Sequence, residues 1–207
     1  MGNIVGIELG FAYKIQIWKA GEGPSTPGAI PISEQIVRNH MTYEGMDYIC
    51  NCAFASGSTF FQTAYVGLLN GAFSATSNYA DTGAKITTGA QSGATNSWTE
   101  LINFTGGTLR QSLGALTYGT ISGAQFQLIG TGSPPSFVGG GGGGSVSGAF
   151  LLTGSNAFGP TSPASFYGGG GTPGGPNLIS VAVGSPTAYS AGQTISVTPI
   201  TLTLTSA

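Results

Sequence analysis

The residues that could carry catalytic chemistry are few and widely spaced. General acid–base catalysis needs a side chain whose pKa suits proton transfer near neutral pH, and a nucleophilic triad needs such a base beside a nucleophile. His40 is the single histidine of the chain, and its segment RNHMTYEG holds nothing that resembles a triad. We therefore interpret His40 as a neighbour of a helix N-terminus. The carboxylates are Glu8, Glu22, Glu34, Glu44, Asp47, Asp81 and Glu100.

Two close pairs of candidate residues have structural explanations. Glu44 and Asp47 lie three residues apart in a predicted helix, where negative charge favours the positive N-terminal end. A glycosidase-like carboxylate pair stays an alternative, without a second feature that supports it. Cys50 and Cys52 are too close for an ordinary disulfide, and with one histidine they cannot complete a zinc site. We predict no catalytic, cofactor-binding or metal-binding residue, and no enzyme activity.

Glycine tracts are the most unusual local feature of the chain. Neither Gly139–Gly144 nor the segment 168–175 (GGGGTPGG) is followed by Lys-Ser/Thr and a helix, so a phosphate-binding loop is excluded. Two main interpretations stay open: flexible loops at a tip, or extended polyglycine packed closely against a defined surface. An engineered linker is a third, less favoured because the tract grades into native-looking sequence on both sides. Asn103–Thr105 (NFT) matches the N-glycosylation pattern, which we attribute to chance because the N-terminus does not resemble a signal peptide.

Charge is scarce throughout the sequence. Charged residues make up 6 % of the 207 residues, against about 25 % in an average soluble protein, and none follows Arg110. The net charge of −2 and the absence of a basic patch argue against nucleic acid or an acidic membrane surface as a partner. No apolar stretch reaches the about 18 residues of a transmembrane helix. Because near-neutral surfaces do not repel each other, we expect a homo-oligomer or a larger assembly.

The chain begins with a strand pattern. In FAYKIQIWK the apolar residues Phe11, Tyr13, Ile15 and Ile17 alternate with the others, which predicts a half-buried strand. The following segment, GEGPSTPGAIP, contains three prolines that disfavour both helix and sheet. We interpret residues 1–38 as an N-terminal strand and a Pro/Gly-rich connector that together form an assembly arm.

One helix is predicted, from Thr42 to Ala55. Thr42 is a suitable N-cap, and Ser56 and Gly57 follow the last predicted turn. The core-facing residues at helical spacing are Met46, Ile49, Cys50, Ala53 and Phe54.

Beyond Gly57 the pattern changes to many short strands separated by Gly, Ser, Asn or Pro. Such punctuation is typical of an all-β sandwich or barrel. The last strand alternates most clearly, with Ile195 and Val197 in one phase and Ile200 in the next. Pro199 lies at the phase break, which predicts a bulge or an edge position because proline cannot donate to a strand ladder.

Five motifs in order resemble a family of small tailed-bacteriophage virion proteins. NHMTYEGMDYICNCAF is similar to the family's N-terminal helix motif, and AYVGLLNG to its following strand. SWTEL and SGAFLLTGSN resemble its Trp-Thr-Glu segment and its Gly-Ala-Phe-Leu strand. SAGQTISVTPITLTLTSA resembles its ending, with Gln193 where the family usually has Asp. The match covers residues 39–207, without the glycine insertions.

The resemblance implies a non-enzymatic virion structural protein that is assembled in the host cytoplasm. By analogy with capsid cement proteins, we expect an all-β, jelly-roll-like β-sandwich over residues 39–207, with one short helix and glycine-rich insertions at 139–144 and 168–175. The leading interpretation is a capsid decoration protein whose partners are the major capsid protein or other virion proteins, with no cofactor. The alternative is a tail-associated or receptor-binding protein with glycine-rich recognition loops. A glycan hydrolase is a third class.

Overall fold

The structure, a computed structural model, describes residues 7–42, 45–46, 63–70, 86–88, 98–106, 109–118, 125–130, 133–153 and 178–206. These ranges contain eleven β-strands. The strands are β1 (Ile7–Ala20), β2 (Ser33–His40), β3 (Thr63–Asn70), β4 (Ile86–Thr88), β5 (Trp98–Glu100), β6 (Gln111–Tyr118), β7 (Gln125–Gly130), β8 (Ser136–Val138), β9 (Gly144–Leu152), β10 (Leu178–Tyr189) and β11 (Gln193–Ser206).

The strands form two sheets. In sheet A, β1 lies between β2 and β11, and β11 also pairs with β7 and β8. In sheet B, β9 lies between β10 and β3, and β3 also pairs with β6 and β5. The β6–β7 pair joins the sheets, and the described pairs are antiparallel except β4 with β5. The predicted all-β sandwich is confirmed, whereas jelly-roll topology stays a prediction.

The main core lies between the inner faces of the two sheets. Alternation along β1 places Tyr13, Ile15 and Ile17 in this core, each at most 1 % exposed. The predicted inward face of β1 is therefore confirmed for these three residues; the side chain of Phe11 lies outside the described ones. The other core side chains include Val37, Ala64, Val66, Leu68, Phe137, Leu151, Ile179, Ile195 and Val197.

Sheet B is also apolar on its outer face. A second cluster there contains Leu69, Phe150 and Leu178, all fully buried. A Cβ on Gly67 would coincide with the ring of Phe150, so this strand position has room only for glycine. Strands buried on both faces read as nearly continuous apolar runs, which explains why the AYVGLL and GAFLL segments lack clear alternation.

Because the Tyr13 phenol is buried, the stability of the fold depends on pH in the alkaline range. Desolvation raises its pKa above the usual value of about 10, while nearby Ser180 lowers it in part. Above pH ~10 the unfolded chain loses this proton and the folded chain keeps it, so stability falls as pH rises.

We therefore expect the free energy of unfolding to decrease above pH ~10, by up to about 1.4 kcal/mol per pH unit for this group. Tyr13→Phe should make that decrease shallower while leaving stability at pH 8 within about 1 kcal/mol of the parent. Denaturant titrations between pH 8 and 11 measure this difference. If the free energy of unfolding decreased equally steeply with pH in both proteins, Tyr13 would not be the group responsible.

The predicted irregularity at Pro199 is confirmed as a bulge. Tyr13 pairs with Ile200 and Ile15 with Val197, so two residues of β11, Thr198 and Pro199, face the single position between them on β1. Because of the extra residue, Pro199, which has no N–H, does not have to donate a ladder hydrogen bond to β1.

The predicted separation of an N-terminal arm from a sandwich domain is corrected by the structure. Strand β1 is not an arm, because it pairs along its length with both neighbours inside sheet A. The proposed boundary between residues 38 and 39 falls within β2, which was not predicted as a strand. His40 ends this strand, paired with Gly10, and lies two residues before Thr42. The described part of this segment, residues 7–38, is integral to the fold.

The N-cap predicted at Thr42 is confirmed, whereas the described ranges contain no complete helix, so the helix from Thr42 to Ala55 stays a prediction. Its Oγ1 accepts the backbone N–H of Gly45 at 3.0 Å, and its carbonyl accepts the N–H of Met46 at 2.9 Å, as an N-cap does. The same hydroxyl donates to the carbonyl of Leu178 at 2.5 Å, which fixes the turn against β10. Residues 47–55 of the predicted helix lie outside the described residues, as do the SFYGG strand and the 168–175 tract.

Candidate interaction site at one end of the sandwich

The glycine tract forms an ordered turn between β8 and β9. It lies beside the β10–β11 turn: the N–H of Gly139 donates to the carbonyl of Gln193 at 2.8 Å, and the N–H of Gly192 donates to the carbonyl of Gly139 at 2.9 Å. Gly143 N–H donates to the carbonyl of Gly140 at 3.2 Å and closes the turn. Of the two main interpretations, close packing therefore describes Gly139, Gly140 and Gly143, whereas Gly141 and Gly142 are exposed at the tip of the turn.

Asn103 holds the turn from the β5–β6 connection. Its Nδ2 donates to the carbonyl oxygens of Gly141, at 3.2 Å, and Gly143, at 2.9 Å. Its own carbonyl accepts the N–H of Gly140 at 2.9 Å. The amide of the NFT motif is thus used inside the protein, which is consistent with a chance match to the glycosylation pattern. The sequence did not indicate this role.

Aromatic side chains pack beside the glycine turn. The rings of Phe104 and Phe137 lie 4.9 Å apart, centroid to centroid. Tyr189 is buried, which raises the pKa of its phenol, so the group is neutral under ordinary conditions. A Cβ on Gly139 would lie 2.8 Å from the Tyr189 ring, and one on Gly144 would lie 2.7 Å from its hydroxyl oxygen. The backbone of the tract is therefore in close contact with this ring.

The tract also contains a matched pair of positions for mutation. Gly143 has φ +67°, and a Cβ there would overlap the carbonyl oxygen of Tyr189. A Cβ on Gly141 would meet nothing within 4 Å, and its φ is not in the left-handed region.

We expect Gly143→Ala to destabilise the protein by roughly 2–5 kcal/mol, the sum of the left-handed penalty and the overpacking penalty. Gly141→Ala should stay within about 0.5 kcal/mol of the parent. Denaturant unfolding of both variants measures the difference. Equal stabilities would mean that the tract is not packed as described.

A groove that is neutral apart from Glu22 borders the same end of the sandwich. It has a volume of about 420 Å³ and lies between the turn at residues 21–26 and the strands around β8 and the start of β11. Glu22 is its one charged lining residue, and the rest are Gly, Pro, Ser, Thr and Val. Thr26 Oγ1 accepts the N–H of Gly23 at 3.0 Å, so part of this wall is internally hydrogen-bonded. Such a groove suits uncharged polar groups and lacks a cation for phosphate.

Of the seven carboxylate side chains, the structure describes those of Glu22, Glu34 and Glu100. Glu34 accepts from Gln16 at 2.8 Å and lies 3.4 Å from Lys14 on the outer face of sheet A. Glu22 lies at the groove. Glu44, Asp47, Asp81 and both cysteines lie outside the described residues, as does the side chain of Glu8.

Glu100 and Arg110 form a buried ion pair that the sequence did not indicate. Arg110 Nε and Nη2 donate to the two carboxylate oxygens of Glu100, each at 2.7 Å. Their side chains are 0 % and 2 % exposed, and the guanidinium lies 5.8 Å from the ring centroid of Phe150. Each charge is balanced by the other inside the protein, so we assign the pair a structural role.

No group of three or more His, Cys, Asp or Glu side chains in the described part of the chain is arranged to hold a metal ion. Within the same ranges, no helix is long and apolar enough to cross a membrane.

Comparison with known proteins gives no family for the chain. No protein-family model, curated protein or solved structure matches it.

Proposed function

We propose that this chain is a non-enzymatic structural protein of a tailed-phage virion, and that it decorates the capsid. The proposal is supported by the ordered sequence motifs of residues 39–207 and by the scarcity of charge. The observation that carries it is the packed glycine turn, which Asn103 and the β10–β11 turn hold in one conformation. A surface built from fixed backbone groups loses little entropy when it binds another protein.

The mechanism is adhesive. Neutral groups of the turn and the groove are buried against a capsid subunit, so the contact depends on shape, hydrogen bonds and apolar burial. Because few charges take part, salt screening affects the binding weakly. Ile102 and Val138, which are 46 % and 40 % exposed beside the turn, supply apolar surface for the contact.

Reconstitution tests this function. Particles assembled without the protein should lose their contents at lower temperature, and adding the purified protein back should restore heat resistance in low and in high salt. Ile102→Asp, which adds a charge beside the turn on an exposed side chain, should fold and fail to restore it. The matched control Ile30→Asp, on a side chain exposed in the β1–β2 connection, should restore it fully. Particles of equal heat resistance with and without the protein would contradict the proposal.

A receptor-binding role at the tail is the second candidate. Gly141 and Gly142 project from the turn into open space, next to the neutral groove, and this arrangement also suits a host glycan or envelope component. Immunogold labelling of intact particles distinguishes the two roles. Label over the head supports decoration, and label confined to the tail supports receptor binding.

A further inference from the structure

The groove beside the turn at residues 21–26 contains one charge and no counter-charge. Its volume of about 420 Å³ lies within the range of about 300–1,000 Å³ that is usual for ligand sites. Glu22 is the one charged residue of its lining. Glu34 pairs with Lys14 and Glu100 with Arg110, whereas the Glu22 carboxylate forms no ion pair within the part of the chain that the structure describes. The charge of Glu22 is therefore available to an occupant of the groove.

The wall that carries Glu22 is held by its own backbone hydrogen bonds. The N–H of Glu22 donates to the carbonyl of Lys19 at 3.0 Å, and Gly21 between them has φ +78°. The N–H of Thr26 donates to the carbonyl of Gly23 at 3.0 Å, and the N–H of Gly23 donates to Thr26 Oγ1 at 3.0 Å. These bonds fix the wall and leave the carboxylate oxygens of Glu22 free to accept. Binding at a wall that is already ordered loses little conformational entropy.

Several potential donors around the groove are already engaged or missing. The backbone N–H groups that close the turns of the wall are used there, and the N–H of Gly192 donates to the carbonyl of Gly139 at 2.9 Å. Pro24 and Pro134 have no N–H to offer. The hydroxyl of Ser136 donates to the carbonyl of Pro134 at 2.9 Å. The hydrogen-bonding capacity that is left in the groove is therefore weighted toward acceptors.

This distribution selects the charge of the occupant. A phosphate or carboxylate would be repelled by Glu22 and would find no cation in the lining. The neutral part of the lining suits uncharged polar groups such as main-chain amides, and Glu22 adds a preference for a cation at one position. Ammonium and guanidinium groups carry several N–H donors and no acceptor, so they match a groove that mainly accepts.

We propose that this groove receives a Lys or Arg side chain of the capsid subunit, and that Glu22 selects it. The inference rests on the proposed function, because the capsid subunit supplies the occupant. Hydrogen bonds between a cation and a carboxylate are stronger than those between neutral groups. One such pair within an otherwise neutral contact fixes the position of the protein on its partner, since electrostatic complementarity contributes mainly to specificity.

Charge variants of Glu22 test the selection. Glu22→Gln keeps the size of the side chain and removes the charge, and it should bind particles assembled without the protein roughly tenfold more weakly than the parent in co-sedimentation. Glu22→Lys should bind roughly a hundredfold more weakly, because it places two cations together. Raising the salt concentration should weaken binding of the parent slightly and leave that of Glu22→Gln unchanged. The matched control Glu34→Gln removes the same charge outside the groove lining and should bind like the parent.

Filling the groove tests its occupation separately from its charge. Ser25 is an exposed residue of the lining, so Ser25→Trp should fold and block the groove. We expect this variant to bind the same particles at least as weakly as Glu22→Gln. Ser185→Trp, at an exposed position of β10 outside the lining, should bind like the parent.

The outcomes separate this inference from the function on which it rests. If the parent binds the particles and both Glu22 variants bind equally well, the inference is overturned and the decoration role stands. If the parent does not bind the particles, both are overturned. Self-association of the purified parent that Glu22→Gln abolishes would assign the cation to a second copy of the chain, which also overturns the capsid subunit as the occupant.

Discussion

Replacing Glu100 with Gln is expected to lower the free energy of unfolding by about 3–5 kcal/mol. The substitution leaves the guanidinium of Arg110 almost fully buried beside Phe150 without its negative partner. Transfer of an uncompensated charge from water into such a site is strongly unfavourable. Arg110→Met should have a similar effect, because it leaves the Glu100 carboxylate buried.

The double variant Glu100→Leu/Arg110→Met is the matched control. A buried ion pair can often be replaced by apolar residues of similar volume with little loss of stability. We expect the double variant to recover most of the stability that either single variant loses. Denaturant unfolding of the parent, Glu100→Leu, Arg110→Met and the double variant gives the coupling energy. Additive losses would mean that the two side chains act independently, contrary to their geometry.

Substitution of Ile15 with Ser is expected to destabilise the protein by about 3–5 kcal/mol, since it removes buried apolar volume and buries a hydroxyl. Ile15 is 1 % exposed in the middle of β1, which lies between two strands of sheet A. Gln16→Ser, one residue along on the outer face, should cost at most about 1 kcal/mol.

Thermal and denaturant unfolding measure both variants. Deleting residues 1–20 should yield no folded protein, because the centre of sheet A would be missing. A truncated chain that keeps cooperative unfolding would contradict the position of β1 and return the N-terminal segment to the role of an arm.

Local patterns in the sequence were sufficient to predict several elements. The alternation of Tyr13, Ile15 and Ile17 identified the core face of β1, Thr42 identified the start of a helical turn, and Pro199 identified a bulge. Each of these signals depends on neighbours within a few residues. Strand pleating, helix capping and proline geometry are local effects, so they can be recognised in the sequence without knowledge of the rest of the fold.

Other features depend on residues far apart in the chain. Strand β2 carries charges on its outward face and begins after a proline-rich connector. Val37 is the one buried residue among its described side chains, so the sequence of β2 shows no clear period of two. The partners of Asn103 lie 38 and 40 residues further along. The pairing of Glu100 with Arg110 requires that two loop-connected strands meet on sheet B. None of these contacts could be derived without the sheet topology.

The conformation of the glycine tract also depends on residues far away in the sequence. Composition alone allowed either a flexible tip or a packed backbone, because glycine suits both. The choice depends on Tyr189 and Asn103, which approach the tract from two other connections. Asn103 is hence the residue on which the shape of the proposed binding end depends most.

Quantitative mass spectrometry of purified particles tests the proposed decoration role most directly, by counting this chain relative to the major capsid protein. We predict a ratio near one, or a simple fraction of it, as expected for a protein that occupies repeated positions on the shell. A handful of copies per particle would contradict decoration and would assign the glycine turn to contact with the host.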